Sequence, residues 1–297
     1  MSSDQITFAI LTNAIRAIAD EMGAILVRSA FSTIVREARD CSTALLDAEG
    51  NVVVQAEMIP IHNGGLSQAF QAAARQLDLS CIGEGQAILL NDPYAGGQHL
   101  NDLILFQPIL SDGELLGWAG NTAHHLDIGG GGAGINIDAG ELISEGIVIP
   151  PLLIDVERDL FDGPVDRMLF ANIRTAELGR GDLYAQLAAN RIGMSRMREL
   201  AVRYGATLLR QAMRETLSYS ERRMQAALDT IPDGSWEGSG QVDSDVRGGE
   251  PLVVKVKVTV ASGRMTLDFA GTCPQVNSMF NSSRSSSLAA IVSAVRS

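Results

Sequence analysis

Two apolar runs, LILFQPIL over 103–110 and LLGWAGNTA over 115–123, stand either side of Ser111-Asp112-Gly113-Glu114, and this pairing constrains the fold more than any other stretch. A short polar turn containing Asp-Gly between two strand-length apolar runs folds back as a β-hairpin. The residues just before the first run and just after the second must then lie side by side. Those flanks carry His99 and His124.

The rest of the chain reads as a mixture of helix and strand. Ile6, Ile10, Ile15, Ile18, Met22, Ile25 and Leu26 recur near a 3.6-residue period, which predicts an amphipathic helix over 4–30 with Asp4 as N-cap. Residues 41–55 read as a hairpin around the acidic turn 47–51, followed by a helix over 67–77. A short apolar strand over 87–90 stops at Asn91-Asp92-Pro93, and 128–151, with four consecutive glycines and a Pro-Pro break, reads as loop. Residues 176–230 are rich in Ala, Leu, Arg, Met and Glu and read as helices, ended by Pro232 and Gly234. Strand alternation over 253–260 and 265–269 then leads to a helix over 285–295. The expected class is α+β: antiparallel sheets with a helical block. Three regions follow in order, a histidine-bearing α+β region over 1–175, helices over 176–232, and a β-rich region running into a helix over 233–297.

Composition excludes several functions. With 46% hydrophobic residues in 297, a sizeable core is available. A formal charge of −12 repels phosphate backbones, so nucleic acid is not an expected partner. No apolar run reaches the roughly 18 residues of a membrane span, and MSSDQITFAI lacks the pattern of a secretory signal. The expected compartment is the cytoplasm, where the three scattered cysteines would stay reduced. The two lysines, Lys255 and Lys257, both fall on the water-facing side of a predicted strand, which argues against Schiff-base or P-loop chemistry. No GxSxG elbow is present.

What remains is a cluster. All four histidines lie between positions 62 and 125, and His99-Leu100-Asn101-Asp102 and His124-His125-Leu126-Asp127 each place an imidazole three residues before a carboxylate. Imidazole nitrogen with carboxylate oxygen suits zinc, manganese or iron, and the lack of thiolates fits an open catalytic site better than a closed structural one. A single histidine is more often a hydrogen-bonded core residue than a ligand. His99 and His124, bracketing one hairpin among carboxylates, are the stronger case and the candidate catalytic pair. Adjacent strand residues point to opposite faces, so only one of His124 and His125 should enter the site, and the spacing to Asp127 selects His124. Gly129–Gly132 could present amides to an anion, but without a phosphate-loop pattern it reads as an active-site loop.

RDCSTALLDAEGNVVVQAEMIPIHNGG, LLNDPYAGGQHLNDLILFQPI, NTAHHLDIGG, ELISEGIVIPPLLI and DFAGTCPQVNS follow one another in an order that resembles hydantoinase B. The same blocks occur in the carboxy-terminal part of 5-oxoprolinase and in subunits of acetone carboxylase, acetophenone carboxylase and caprolactamase. The resemblance covers almost the whole chain and implies a hydantoinase B-like fold. It implies metal-ligand roles for Asp40, His99, Asp102, His124 and Asp127. Asp40 enters only this way, since its own surroundings read as a solvated helix end. The resemblance also implies a hydantoinase A-like partner that uses ATP and Mg²⁺ to phosphorylate the substrate, in a hetero-oligomer. The substrate would be a cyclic amide such as hydantoin, 5-oxoproline or a lactam, with a ketone undergoing carboxylation as the alternative. Members are about twice this length, so an inactive half-length scaffold is a third reading, and the chain would be a natural fragment, a split gene product or a truncated sequence.

Overall fold

In the computed structural model, which describes residues 3–59, 62, 64–243 and 248–296, the chain opens with helices α1 (Ser3–Ser29) and α2 (Thr33–Arg36). There follow the hairpin β1 (Cys41–Leu46) and β2 (Val52–Glu57), helix α3 (Gly65–Gln76) and strand β3 (Gln86–Leu90). The long hairpin is β4 (Asp102–Ser111) and β5 (Glu114–His124). Next come α4 (Leu142–Glu145), β6 (Leu152–Asp155), α5 (Val156–Asp159), α6 (Pro164–Phe170), α7 (Ala176–Tyr204) and α8 (Ala206–Leu228). The chain continues through β7 (Gly234–Val242), β8 (Leu252–Ala261) and β9 (Arg264–Asp268) to α9 (Arg284–Arg296). The side chain of Asp4, the expected cap of α1, lies outside the described residues.

β4 and β5 pair antiparallel across the expected turn, from Ser111 with Glu114 to Asp102 with His124. They form the middle of a six-stranded sheet of order β2-β1-β5-β4-β3-β6, antiparallel at every pairing. Both faces are covered, which explains why the strands are continuous apolar runs rather than alternating ones. On one face, Ile88, Leu90, Ile104, Phe106 and Trp118 pack against Leu66 and Phe70 of α3. The Phe70 ring meets Phe106 edge-on at 5.4 Å and Trp118 at 4.8 Å, each worth about 0.5–1.5 kcal/mol beyond area burial. On the other face, Leu103, Leu105 and Leu89 pack against Leu183 and Leu187 of α7. Helix α1 lies along α7 and the β1–β2 end of the sheet. At Gly193 of α7 a Cβ would come within 2.5 Å of the Met22 sulfur, so the close approach of α1 requires glycine there.

By contacts the chain divides into two compact units rather than three consecutive segments. The first holds 1–136, 142–214 and 282–297; the second holds 137–141 and 215–281. The difference has physical causes. Helix α7 spends one face on the six-stranded sheet, so it belongs with the sheet and not with a separate helical block. Helix α9 returns to α3, where Ser285 Oγ donates to Gly96 O at 2.7 Å. The second unit contains the antiparallel sheet β7-β8-β9, in which Lys255 and Lys257 are exposed as their alternation predicts. Strands β6 and β7 lie where the sequence suggested loop, because four residues at a Pro-Pro break and a glycine-serine stretch carry little strand signal. No helix among the described residues is long and apolar enough to cross a membrane.

Asn91, fully buried where β3 ends, staples the segments that follow. Its Nδ2 donates to Leu100 O at 2.7 Å and Ile147 O at 2.9 Å, and its Oδ1 accepts from the Ile149 amide at 2.6 Å. Asn91→Ala would leave three buried backbone groups unpaired, so a loss of about 2–4 kcal/mol in denaturant unfolding is expected. A variant as stable as wild type would contradict that role. The thiols give a second check. Burial, reinforced by the neighbouring Asp40 charge, pushes the Cys41 thiol up to about 12, so it stays neutral at pH 8. Exposed Cys81 should react with a thiol reagent in the native protein, and Cys41 only after unfolding. Rapid native labelling of Cys41 would count against its buried setting.

Candidate metal centre

Three neighbouring strands reach the same edge of the sheet together. β4 begins at Asp102, β5 ends at His124, and these two are direct cross-strand partners. β1 begins at Cys41 opposite Ala123, and the His124 amide donates to Asp40 O at 2.9 Å, extending the ladder by one step. Asp40, His124 and Asp102 therefore stand in a row. They share the parity of Ile104, Phe106 and Trp118, so their side chains emerge on the α3 face.

His99 arrives from the loop between β3 and β4. Asp92 caps the turn Pro93–Ala95, accepting from the Tyr94 amide at 2.8 Å, and the Asp102 amide closes back on His99 O at 3.0 Å. A Cβ on Gly97 would come within 2.5 Å of Asn91 O, so only glycine lets this loop fold tightly against the strand end.

The result is a knot of donor atoms. His99 Nδ1 lies 2.7 Å from one Asp102 oxygen, and His124 Nδ1 lies 3.4 Å from the other and 3.7 Å from Asp40. The His99 and His124 rings meet edge-on at 4.8 Å. His99, Asp102 and His124 each offer a ligand atom within 4.8 Å of the others, and so do Asp40, His62 and Asp102. Despite these short separations His99 Nδ1, His124 Nδ1, His62 Nε2 and both Asp102 oxygens are buried without a hydrogen-bond partner. The atoms converge, but off the lines that a hydrogen bond requires.

Electrostatics is consistent with a site prepared for a cation. Burial raises the proton affinity of Asp102, which is only 1% exposed, yet the attraction of His99 and contacts with His124 and His99 hold its carboxyl well below the usual range. Burial disfavours a charged His99, but Asp102, with help from Asp40, outweighs it and the net shift is upward. A buried carboxylate whose two oxygens lack hydrogen bonds is costly unless positive charge sits beside it. The donor set of nitrogen and carboxylate oxygen fits zinc, manganese or iron.

The placement of the sequence-selected residues is uneven. Asp40, His99, Asp102 and His124 come together. Asp127 does not: its carboxylate accepts from the amides of Gly129 at 3.0 Å and Arg174 at 2.5 Å, and pairs with the Arg174 guanidinium at 3.3 Å. The chain has left the strand by then, so three-residue spacing no longer returns the side chain to the site. Arg174 also donates to Gly130 O at 2.8 Å, tying down the glycine run that read as an active-site loop. His125 faces the other side of the sheet, where its Nε2 and Gln186 Oε1 are 3.0 Å apart and burial pulls the imidazole down. His62 was missed. Its signal was available in the first hairpin: antiparallel pairing sets Glu57 at the end of β2 opposite Ser42 at the start of β1, so the chain leaving β2 emerges beside Asp40.

Comparison with known proteins adds a family. The description Hydantoinase B/oxoprolinase matches residues 4–297. The chain is 31% identical over 289 residues to caprolactamase subunit beta of Pseudomonas jessenii, covering 97% of this chain and 49% of that protein. It superimposes on the crystal structure of the ATP-dependent caprolactamase of Pseudomonas jessenii with TM-score 0.89 and 30% identity, over 98% of this chain and 50% of that one. The nucleotide-free structure of acetone carboxylase matches with TM-score 0.88 over 98% of this chain and 40% of that one, at 20% identity, a likeness of fold. The chain spans about half the length of the curated relatives it matches. A family match over almost every residue, joined to this likeness in sequence and fold, shows that the chain belongs to the hydantoinase B/oxoprolinase family.

Proposed function

We propose that this chain is the metal-bearing B-type part of an ATP-dependent enzyme that opens cyclic amides, acting on a carbonyl activated by a hydantoinase A-like partner. The observation that carries the reading is the convergence of unpartnered buried donor atoms on His99, Asp102 and His124 at one sheet edge, with Asp40 beside them. Those four residues would hold a divalent zinc, manganese or iron ion. When bound, such an ion supplies Lewis acidity toward a carbonyl oxygen and toward water.

The chain's own residues do the rest. Asp102 and His124 are locked on paired strands, so the donor set is shaped before a ligand arrives and little reorganisation is needed. His99 is the accessible member, with 37% of its side chain exposed, and it presents the solvent-facing side of the cluster from which a cyclic amide would approach. Glu145, on the segment that packs on Gly130, is raised by burial and feels the His99 charge, so it lies toward the same side. The caprolactamase relative favours a lactam-type ring as substrate class, with ATP and Mg²⁺ used on the partner.

The test is reconstitution with an A-type partner. ATP consumption should depend on a hydantoin, 5-oxoproline or lactam, and Asp102→Asn should lower turnover by on the order of 10²-fold or more while the protein stays folded. If no cyclic amide elicits ATP consumption, the reading is wrong. Product formation that requires labelled bicarbonate would assign ketone carboxylation instead.

A further inference from the structure

His62 does not belong to the donor set that the sequence selects, yet it is the most firmly aimed imidazole near it. Its side chain is 1% exposed, and its Nε2 is buried without a hydrogen-bond partner 3.6 Å from an Asp40 oxygen. Every other polar atom of the residue is anchored. Nδ1 lies 3.0 Å from Ser42 Oγ, the carbonyl accepts from Gln55 Nε2 at 3.2 Å, and the amide donates to Ile59 O at 3.2 Å. Ser42 is fully buried in β1, paired with Thr122 of β5, so the anchor is part of the sheet that carries Asp40 and His124.

A buried imidazole with one nitrogen held and the other bare is the usual arrangement of a histidine whose second nitrogen meets a metal. The alternative, a core histidine, would turn Nε2 to a protein acceptor in line, and Asp40 at 3.6 Å is not one. We infer that His62, oriented by Ser42, is a further metal ligand, so that one ion is shared by Asp40, His62, His99, Asp102 and His124. The step rests on the metal-centre reading above and deepens it. In the liganded state Nδ1 carries the hydrogen and donates to Ser42 Oγ, leaving the Nε2 lone pair for the ion. Asp102 is the hinge of the arrangement, because it lies within ligand distance of His99 and His124 on one side and of Asp40 and His62 on the other.

The experiment is X-ray absorption on the zinc-loaded chain, with affinity from chelator competition, for wild type, His62→Ala and Ser42→Ala. Wild type should show three imidazoles at the metal and His62→Ala two, with affinity reduced at least about tenfold in both variants. Circular dichroism reports folding in each. If His62→Ala fails to fold, the imidazole count of wild type and the affinity of Ser42→Ala decide. Metal bound in wild type with two imidazoles, or with unchanged affinity in Ser42→Ala, overturns the role of His62 and leaves the metal centre standing. A folded wild type that takes up no metal overturns both.

Discussion

The pairing of Asp102 with His124 at the mouth of the β4–β5 hairpin is the constraint on which the site depends. Side-chain period in a strand is two, so a slip of one residue would send both groups to the opposite face. Register is therefore inseparable from the chemistry. It is fixed on two sides at once: the tight turn at Asp112-Gly113 sets it from one end, and the differing demands of α3 and α7 select which residues face each helix. Extension of the ladder through β1 brings Asp40 into line with no further device.

A buried polar layer holds that register from behind. Gln186 of α7 donates to Leu103 O and to Asn121 Oδ1, each at 2.8 Å, and Asn121 returns hydrogen bonds to Gln186 O at 2.9 Å and Asn190 Oδ1 at 2.8 Å. His125 joins through Gln186. These groups are satisfied among themselves, whereas the donors on the α3 face are not, and one sheet edge thus carries a closed network on one side and an open one on the other. Fully satisfied buried networks rigidify and specify packing. The open network is where a ligand would contribute.

Much of this was legible in the sequence. The hairpin followed from Asp-Gly between two apolar runs, and with it the meeting of His99, Asp102 and His124; the split between His124 and His125 followed from strand parity. Residues whose position depends on long-range pairing were harder. Asp40 reads as a solvated helix end until β1 is laid beside β5, and His62 sits in an irregular segment that points nowhere until β2 returns along β1. Asp127 failed because equal spacing has equal meaning only while the backbone repeats, and past His124 it turns toward Arg174. The helix over 285–295 was visible, but its docking on α3 was not, since an Ala- and Ser-rich helix names no partner.

Metal content of the purified chain, read by elemental analysis beside folded His99→Ala and His124→Ala variants, tests the central claim most directly. The account predicts near-stoichiometric zinc, manganese or iron in wild type and its loss in both variants. A folded wild type that stays metal-free after incubation with each of these ions, or variants that retain the metal in full, would contradict it.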